Sequence, residues 1–211
     1  MLMHTLAGDG EDTPVTPPGT PPGTTPVTHL SHRIESTALA LTVLYAAAAG
    51  PHLVSHSATV PWLAATATLA AVLIALSAID ARTFRLPDRL TLPLLAAGLA
   101  LAALDGSAML VWHAASAMLG AALLWAVNAL YRRLRGTDGL GFGDVKLFAG
   151  AGAWAGAEGL ASVLLVACGA ALALVAIWRL RDPNLAGSTA LPFGPFLAFG
   201  LWIVWLYGPL T

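Results

Sequence analysis

Long apolar runs make up most of this 211-residue chain, and they constrain its fold more than any other feature. The chain is 57% hydrophobic and 10% charged, which is too apolar for an ordinary soluble domain. A helix needs roughly 20 apolar residues to cross a bilayer. The runs therefore predict an all-α polytopic integral membrane protein with about seven transmembrane helices. They cover residues 37–54, 62–79, 90–104, 108–131, 145–157, 159–178 and 190–207.

Basic residues lie in alternate loops between these runs. If the loops alternate across the membrane, all of them fall on one side, which the positive-inside rule makes cytoplasmic. The N-terminus is then cytoplasmic and the C-terminus lies outside. The basic residues of this side are Arg33, Arg82, Arg85, Arg89, Arg132, Arg133, Arg135, Lys146, Arg179 and Arg181. The tryptophans predicted toward the opposite side are Trp62, Trp112, Trp154, Trp202 and Trp205.

The N-terminal region differs from the rest in composition. Residues 1–35 are rich in Pro, Thr and Gly, and we expect a disordered cytoplasmic tail. Residues 36–61 are predicted to add one transmembrane helix and an outer loop to a core at 62–211. The net charge of −1 gives no reason to expect a nucleic-acid partner, whereas the lipid bilayer is an expected one.

Two aspartates lie at the edges of apolar runs, where a charge is costly. Asp80 ends the second run in Ser-Ala-Ile-Asp, and Asp144 begins the fifth in Gly-Phe-Gly-Asp-Val-Lys. An ionisable group costs roughly 2.5 to 3.5 kcal/mol at the centre of a membrane helix, so such carboxylates indicate function. The charge pattern places both on the predicted cytoplasmic side, and they are the candidate catalytic residues.

Each aspartate also has a structural explanation. Asp144 would be an N-cap or first-turn residue of a helix, whose dipole favours a negative charge there. Gly141 and Gly143 would let the preceding backbone pass close to a partner or substrate. Asp80 would lie in the last turn of a helix, where the dipole disfavours an anion. It could instead pair with an arginine of the next loop.

Two further charged residues flank the aspartates. Asp88 follows a proline and precedes a new apolar run, so it is predicted to be the N-cap of the third span. Lys146 is a candidate supporting residue near Asp144, although it could also extend toward lipid phosphates.

Paired carboxyls can carry out acid/base chemistry. When two lie a few ångströms apart they share a proton, so that one activates water and the other protonates the carbonyl oxygen or leaving amine. Helix position predicts Asp144 as the anionic base and Asp80 as the protonated acid. No HExxH or G-x-S-x-G motif occurs, and Cys168 is the single cysteine. The sequence therefore predicts neither a metal nor a cofactor.

Three stretches, at 78–95, 141–147 and 191–197, occur in the order and spacing of a known family. Together they resemble the type IV prepilin leader peptidases, which are GxGD aspartyl proteases. The resemblance covers about residues 62–208 and implies a six-span peptidase core. It implies catalytic roles for Asp80 and Asp144, and Asp88 matches the aspartate of the family's LPD stretch.

The resemblance also implies a substrate and a location. The substrates would be prepilins or pseudopilins, cleaved after a short basic leader at the cytoplasmic face of the bacterial inner (plasma) membrane. Pilus assembly machinery is an expected partner. Many family members carry an N-terminal region, often with two CxxC pairs, that is linked to N-methylation. Since no CxxC pair occurs here, the chain resembles the short, peptidase-only members that serve Flp or tight-adherence pili.

Three other functions remain open from the residues alone. A bifunctional leader peptidase/N-methyltransferase would use the same core. A proton-coupled transporter could also hold two membrane carboxylates, although no internal repeat is visible. A non-enzymatic membrane subunit of a pilus or secretion assembly could keep the fold without the chemistry.

Overall fold

A computed structural model describes residue 43 and residues 45–49, 60–137, 139–181 and 191–210. The regular structure in these ranges is helical, with no strand, so the all-α prediction is confirmed. The predicted tail at 1–35 lies outside the described residues, as does most of the added segment at 36–61. The main helices are α1 (Val60–Thr83), α2 (Asp88–Leu104), α3 (Ser107–Arg135), α4 (Phe142–Arg181) and α5 (Gly194–Tyr207).

Three of these helices are long and apolar enough to cross a membrane, at Pro61–Thr83, Ser107–Arg135 and Phe142–Arg181. The shorter α2 and α5 have 17 and 14 residues. This composition confirms a polytopic membrane protein. The count of seven spans stays a prediction, because most of the first apolar run lies outside the described residues.

The fifth and sixth apolar runs are joined within α4, which has 40 residues and is interrupted at Gly156. Gly156 has φ 67° and ψ −178°, a positive-φ conformation that is essentially restricted to glycine. The fifth and sixth apolar runs are separated at Glu158, so the sequence predicts a turn there, close to this interruption. We call the part of α4 before Gly156 its first limb and the part after Gly156 its second limb. The first limb is as short as the fifth apolar run suggested.

Contacts on either side of Gly156 show that the chain reverses there. A Cβ on Gly120 of α3 would lie 2.8 Å from the Phe148 carbonyl oxygen of the first limb. A Cβ on Gly159 of the second limb would lie 3.2 Å from Val204 Cγ1, near the end of α5. The first limb thus packs on α3, and the second returns along α5.

The helices alternate in direction, so their ends form two chemically different faces. Arginines occupy the last turns of α1, α3 and α4, and we call this face the arginine end. The opposite face, the tryptophan end, carries Trp62, Trp154 and Trp205. This grouping agrees with the alternation predicted from the loop charges.

The N-terminal segment packs against α5. The Trp202 indole N–H donates a hydrogen bond of 3.0 Å to the Tyr45 carbonyl, and the Tyr207 hydroxyl donates one of 2.6 Å to the Ala48 carbonyl. The Tyr45 ring is buried and stacks on Trp202 with centroids 5.8 Å apart. Residues 45–49 are therefore part of the bundle, outside the resemblance noted from the sequence.

Candidate active site

Asp80 and Asp144 come from opposite ends of two different helices and line the same cavity at the arginine end. Asp80 lies in the last turn of α1, and Asp144 in the first turn of α4. Their relative exposures are 5% and 7%, so both carboxyls are largely removed from solvent. The cavity has a volume of about 380 Å³, within the range of small-ligand sites.

All six residues that the sequence analysis placed in a site line this cavity. They are Asp80, Asp88, Gly141, Gly143, Asp144 and Lys146. The structure adds Phe84, Arg85, Leu86 and Phe142 to the lining. The residues that the sequence analysis assigned to one site are therefore neighbours in the fold. Their chemical roles remain proposals.

The hydrogen-bond partner of Asp80 is the backbone at the start of α5. The Gly194 N–H donates to Asp80 Oδ2 over 3.1 Å, and both groups are buried. A Cβ on Gly194 would lie 2.6 Å from the same oxygen, so any larger residue would displace the carboxylate. In the described part of the chain, Asp80 therefore binds a backbone N–H rather than an arginine, which was the alternative suggested by the sequence.

Asp144 has a carboxyl oxygen that no described residue contacts by a hydrogen bond. α4 begins at Phe142, so Asp144 is a first-turn residue and not the N-cap. Its Oδ1 is buried and has no hydrogen-bond partner among the described residues. A Cβ on Gly141 would lie 3.4 Å from Oδ2, which means that the Gly141 backbone passes directly beside the carboxyl group. A buried oxygen with unused lone pairs is suited to bind a proton or a water molecule.

Gly143 brings the loop between α1 and α2 close to the start of α4. A Cβ at this position would lie 2.7 Å from Leu86 Cβ and 3.2 Å from Leu86 N. The prediction that these glycines permit close backbone approach holds at Gly143, with Leu86 as the partner. The same loop contains Phe84, whose φ of 52° is unusual for a residue with a side chain.

The prediction that Asp88 is an N-cap is wrong. α2 begins at Asp88 itself, Pro87 occupies the N-cap position, and no side chain caps the helix. The Asp88 carboxylate instead forms an ion pair of 2.5 Å with Lys146 Nζ. Lys146 Nζ also lies 5.1 Å from the centroid of the Phe142 ring. Lys146 therefore joins α2 to α4, and the proposed extension to lipid does not describe it.

Gly194, whose N–H binds Asp80, is a further residue that the sequence analysis did not assign to the site. It lies in the 191–197 stretch that carried part of the resemblance, but the sequence analysis gave this glycine no role. Within the described ranges, no group of three or more His, Cys, Asp or Glu side chains converges as a metal site would require. The charged and polar residues that line the cavity are thus the two buried aspartates, the ion pair of Lys146 and Asp88, and Arg85.

The fold and the site together define a polytopic membrane protein with two buried carboxyls from separate helices at the arginine end of the bundle. A profile of the type IV leader peptidase family matches residues 67–177, which is more than half of the chain and includes both aspartates. The chain belongs to the type IV leader peptidase family.

Several curated proteins are similar to this chain, each under the name prepilin leader peptidase/N-methyltransferase. One from Burkholderia pseudomallei (strain 1026b) is 48% identical over 134 residues, covering 63% of this chain and 42% of the relative. One from Xanthomonas campestris pv. campestris is 40% identical over 144 residues, covering 66% of this chain and 48% of the relative. One from Aeromonas hydrophila is 41% identical over 137 residues, covering 65% of this chain and 47% of the relative.

The matches therefore span less than half the length of these relatives. No solved structure gave a significant match to the chain.

Proposed function

We propose that this protein is an aspartic endopeptidase that removes the leader of type IV prepilins. One observation carries the proposal: Asp80 and Asp144, from helices distant in sequence, are both buried and line one cavity. Family membership supports the same reaction class. The substrate assignment comes from the names of the relatives, whose chains are longer than this one.

In the proposed reaction, the two carboxyls hold one proton between them. The ionised carboxylate takes a proton from water, and the water oxygen attacks the carbonyl carbon of the scissile peptide bond. The protonated carboxyl gives its proton to the carbonyl oxygen. As the tetrahedral intermediate collapses and its C–N bond breaks, the carboxyl that took a proton from water gives that proton to the leaving amine. The other carboxylate takes a proton back from a hydroxyl group of the intermediate. The net reaction consumes one water and leaves the carboxyl pair in its starting state.

Two structural effects act in opposite directions on the assignment of base and acid. The first-turn position of Asp144 favours a negative charge there. The Gly194 N–H, in contrast, stabilises a negative charge on Asp80. Because interacting carboxyls titrate as a pair, we assign the base and acid roles to the pair and not to one residue each.

We further propose that the cavity faces the cytoplasm of a bacterial inner membrane. The arginines in the last turns of α1, α3 and α4 support this orientation through the positive-inside rule. We also propose that the chain is a peptidase-only, Flp-type enzyme. The support is compositional, since these 211 residues contain one cysteine and so no CxxC pair.

The test is co-expression of a prepilin with the wild type, Asp80→Asn and Asp144→Asn, followed by mass measurement of the pilin. Asp105→Asn is the matched control, because Asp105 lines a cavity at the tryptophan end. We expect cleavage by the wild type and the control and none by the other two variants at equal protein levels. Cleavage at the wild-type rate by either site variant would contradict the mechanism. A new N-terminus carrying the mass of a methyl group would contradict the peptidase-only proposal.

A further inference from the structure

The face of α3 that contacts α4 ends in an amide side chain. Its buried residues, at helical spacing, are Ser116, Ala117, Gly120 and Leu124. The next position on this face, four residues after Leu124, is Asn128. A polar amide in an apolar helix is costly unless it is hydrogen-bonded. Asn128 stands where the loop from α3 reaches α4, and two of its hydrogen-bond partners belong to that loop.

The Asn128 side-chain oxygen accepts two backbone hydrogen bonds from the loop. The Gly139 N–H donates over 3.1 Å and the Leu140 N–H over 3.0 Å. Two successive N–H groups on a single oxygen fix both the position and the orientation of the intervening peptide. Gly139 also lies on the Tyr131 ring, since a Cβ there would be 2.5 Å from Tyr131 Cδ1. α3 therefore holds this loop by a hydrogen-bonded and a packing contact.

The held segment leads directly into the first turn of α4. The Gly141 carbonyl accepts a hydrogen bond of 3.1 Å from the Asp144 N–H. On the other side, Gly143 packs against Leu86. The loop is thus fixed between α3 and the α1–α2 connection, and a shift at Gly139 and Leu140 would move Asp144.

We propose that Asn128 is a positioning residue for Asp144, acting through the loop that precedes α4. Asn128 does not line the cavity, so it touches neither carboxyl nor a substrate within it. Its loss is therefore expected to lower kcat and to leave KM nearly unchanged. This kinetic expectation rests on the proposed peptidase function, whereas the hydrogen bonds themselves can be tested without substrate.

The test compares the wild type, Asn128→Leu and Asn128→Asp in phospholipid nanodiscs. Leucine has a similar size and no acceptor, and aspartate keeps the acceptor oxygens. Leu130→Ala, at an exposed position of the same helix, is the control. Hydrogen exchange at the Gly139 and Leu140 amides reports the contact, and kcat and KM for prepilin cleavage report its effect.

For Asn128→Leu we expect exchange of the two amides to become about tenfold faster. We expect kcat to fall about tenfold to hundredfold, because small displacements of reacting groups cost about that much. Asn128→Asp and Leu130→Ala should both behave like the wild type.

Wild-type exchange and kcat in Asn128→Leu would overturn the proposal, as would equal impairment of Asn128→Leu and Asn128→Asp. Rapid exchange of both amides in the wild type would overturn it without any variant. If the wild type cleaves no prepilin, the proposed function fails, and the exchange data alone decide whether Asn128 holds the loop.

Discussion

The two ends of the bundle each contain a cavity, but their polar groups are used differently. At the tryptophan end, the cavity of about 290 Å³ is lined by Trp154, Trp205 and His113. Trp154 donates to the Leu94 carbonyl over 2.7 Å, and Trp205 donates to Thr66 Oγ1 over 3.0 Å. His113 Nδ1 lies 2.8 Å from the Ala153 carbonyl oxygen. These polar groups join helices to one another.

At the arginine end, Oδ1 of Asp144 is buried and has no hydrogen-bond partner among the described residues, and Asp80 accepts a hydrogen bond from the Gly194 N–H. An incompletely bonded buried carboxyl destabilises the fold, because its desolvation is not repaid by hydrogen bonds. The polar groups of the tryptophan end therefore stabilise the bundle, whereas the arginine end leaves a buried carboxyl oxygen without a hydrogen-bond partner among the described residues. Changes at the two ends should therefore have separable effects on stability and activity.

The largest effect is expected from Gly194→Ala at the arginine end. The new methyl group would lie 2.6 Å from Asp80 Oδ2 and would displace the carboxylate from its N–H donor. We expect kcat/KM for prepilin cleavage to fall at least about hundredfold. Gly169→Ala is the control, since no heavy atom lies within 4 Å of a Cβ there. Full activity in Gly194→Ala would show that the position of Asp80 is not critical.

An intermediate effect, on stability, is expected from Gly98→Ala at the tryptophan end. The added Cβ would lie 2.6 Å from Trp154 Cδ1 and 2.9 Å from the Ala153 carbonyl carbon. Overpacking of this kind lowers the free energy of unfolding by about 1–3 kcal/mol. Thermal unfolding in detergent should show the loss, and kcat of the folded protein should be retained. Loss of kcat without loss of stability would break the distinction between the two ends.

The smallest effect is expected from the ion pair of Lys146 and Asp88. The side chains are 27% and 57% exposed, and exposed pairs contribute about 0.2–1 kcal/mol. A double-mutant cycle with Lys146→Met and Asp88→Asn should give a coupling energy in this range, decreasing as salt is added. A coupling well above it, insensitive to salt, would mean that the pair is a major structural link.

Much of this organisation could be read from the sequence. The apolar runs and loop arginines predicted the alternation of helices, and the break in α4 lies near the predicted turn at Glu158. Asp80 and Asp144 stood out because charges at span ends are costly. These features depend on local composition and on the membrane, which act the same way in any tertiary arrangement.

Other features depend on contacts that sequence patterns do not encode. Asp88 follows a proline and was predicted to cap a helix, yet tertiary packing pairs it with Lys146. The N–H donor of Asp80 comes from Gly194, far along the chain. The sequence did not single out Asn128, because one side-chain amide in an apolar run does not show which loop it will contact. In each case the partner is set by how helices pack.

We propose that Asp80 and Asp144 act as one carboxyl pair, and the first measurement to make is the pH dependence of kcat/KM for prepilin cleavage. At low pH both carboxyls are protonated and no base is present, while at high pH both are ionised and no acid is present. We therefore expect a bell-shaped profile for the wild type. A flat profile, or one with a single limb, would contradict the shared-proton pair.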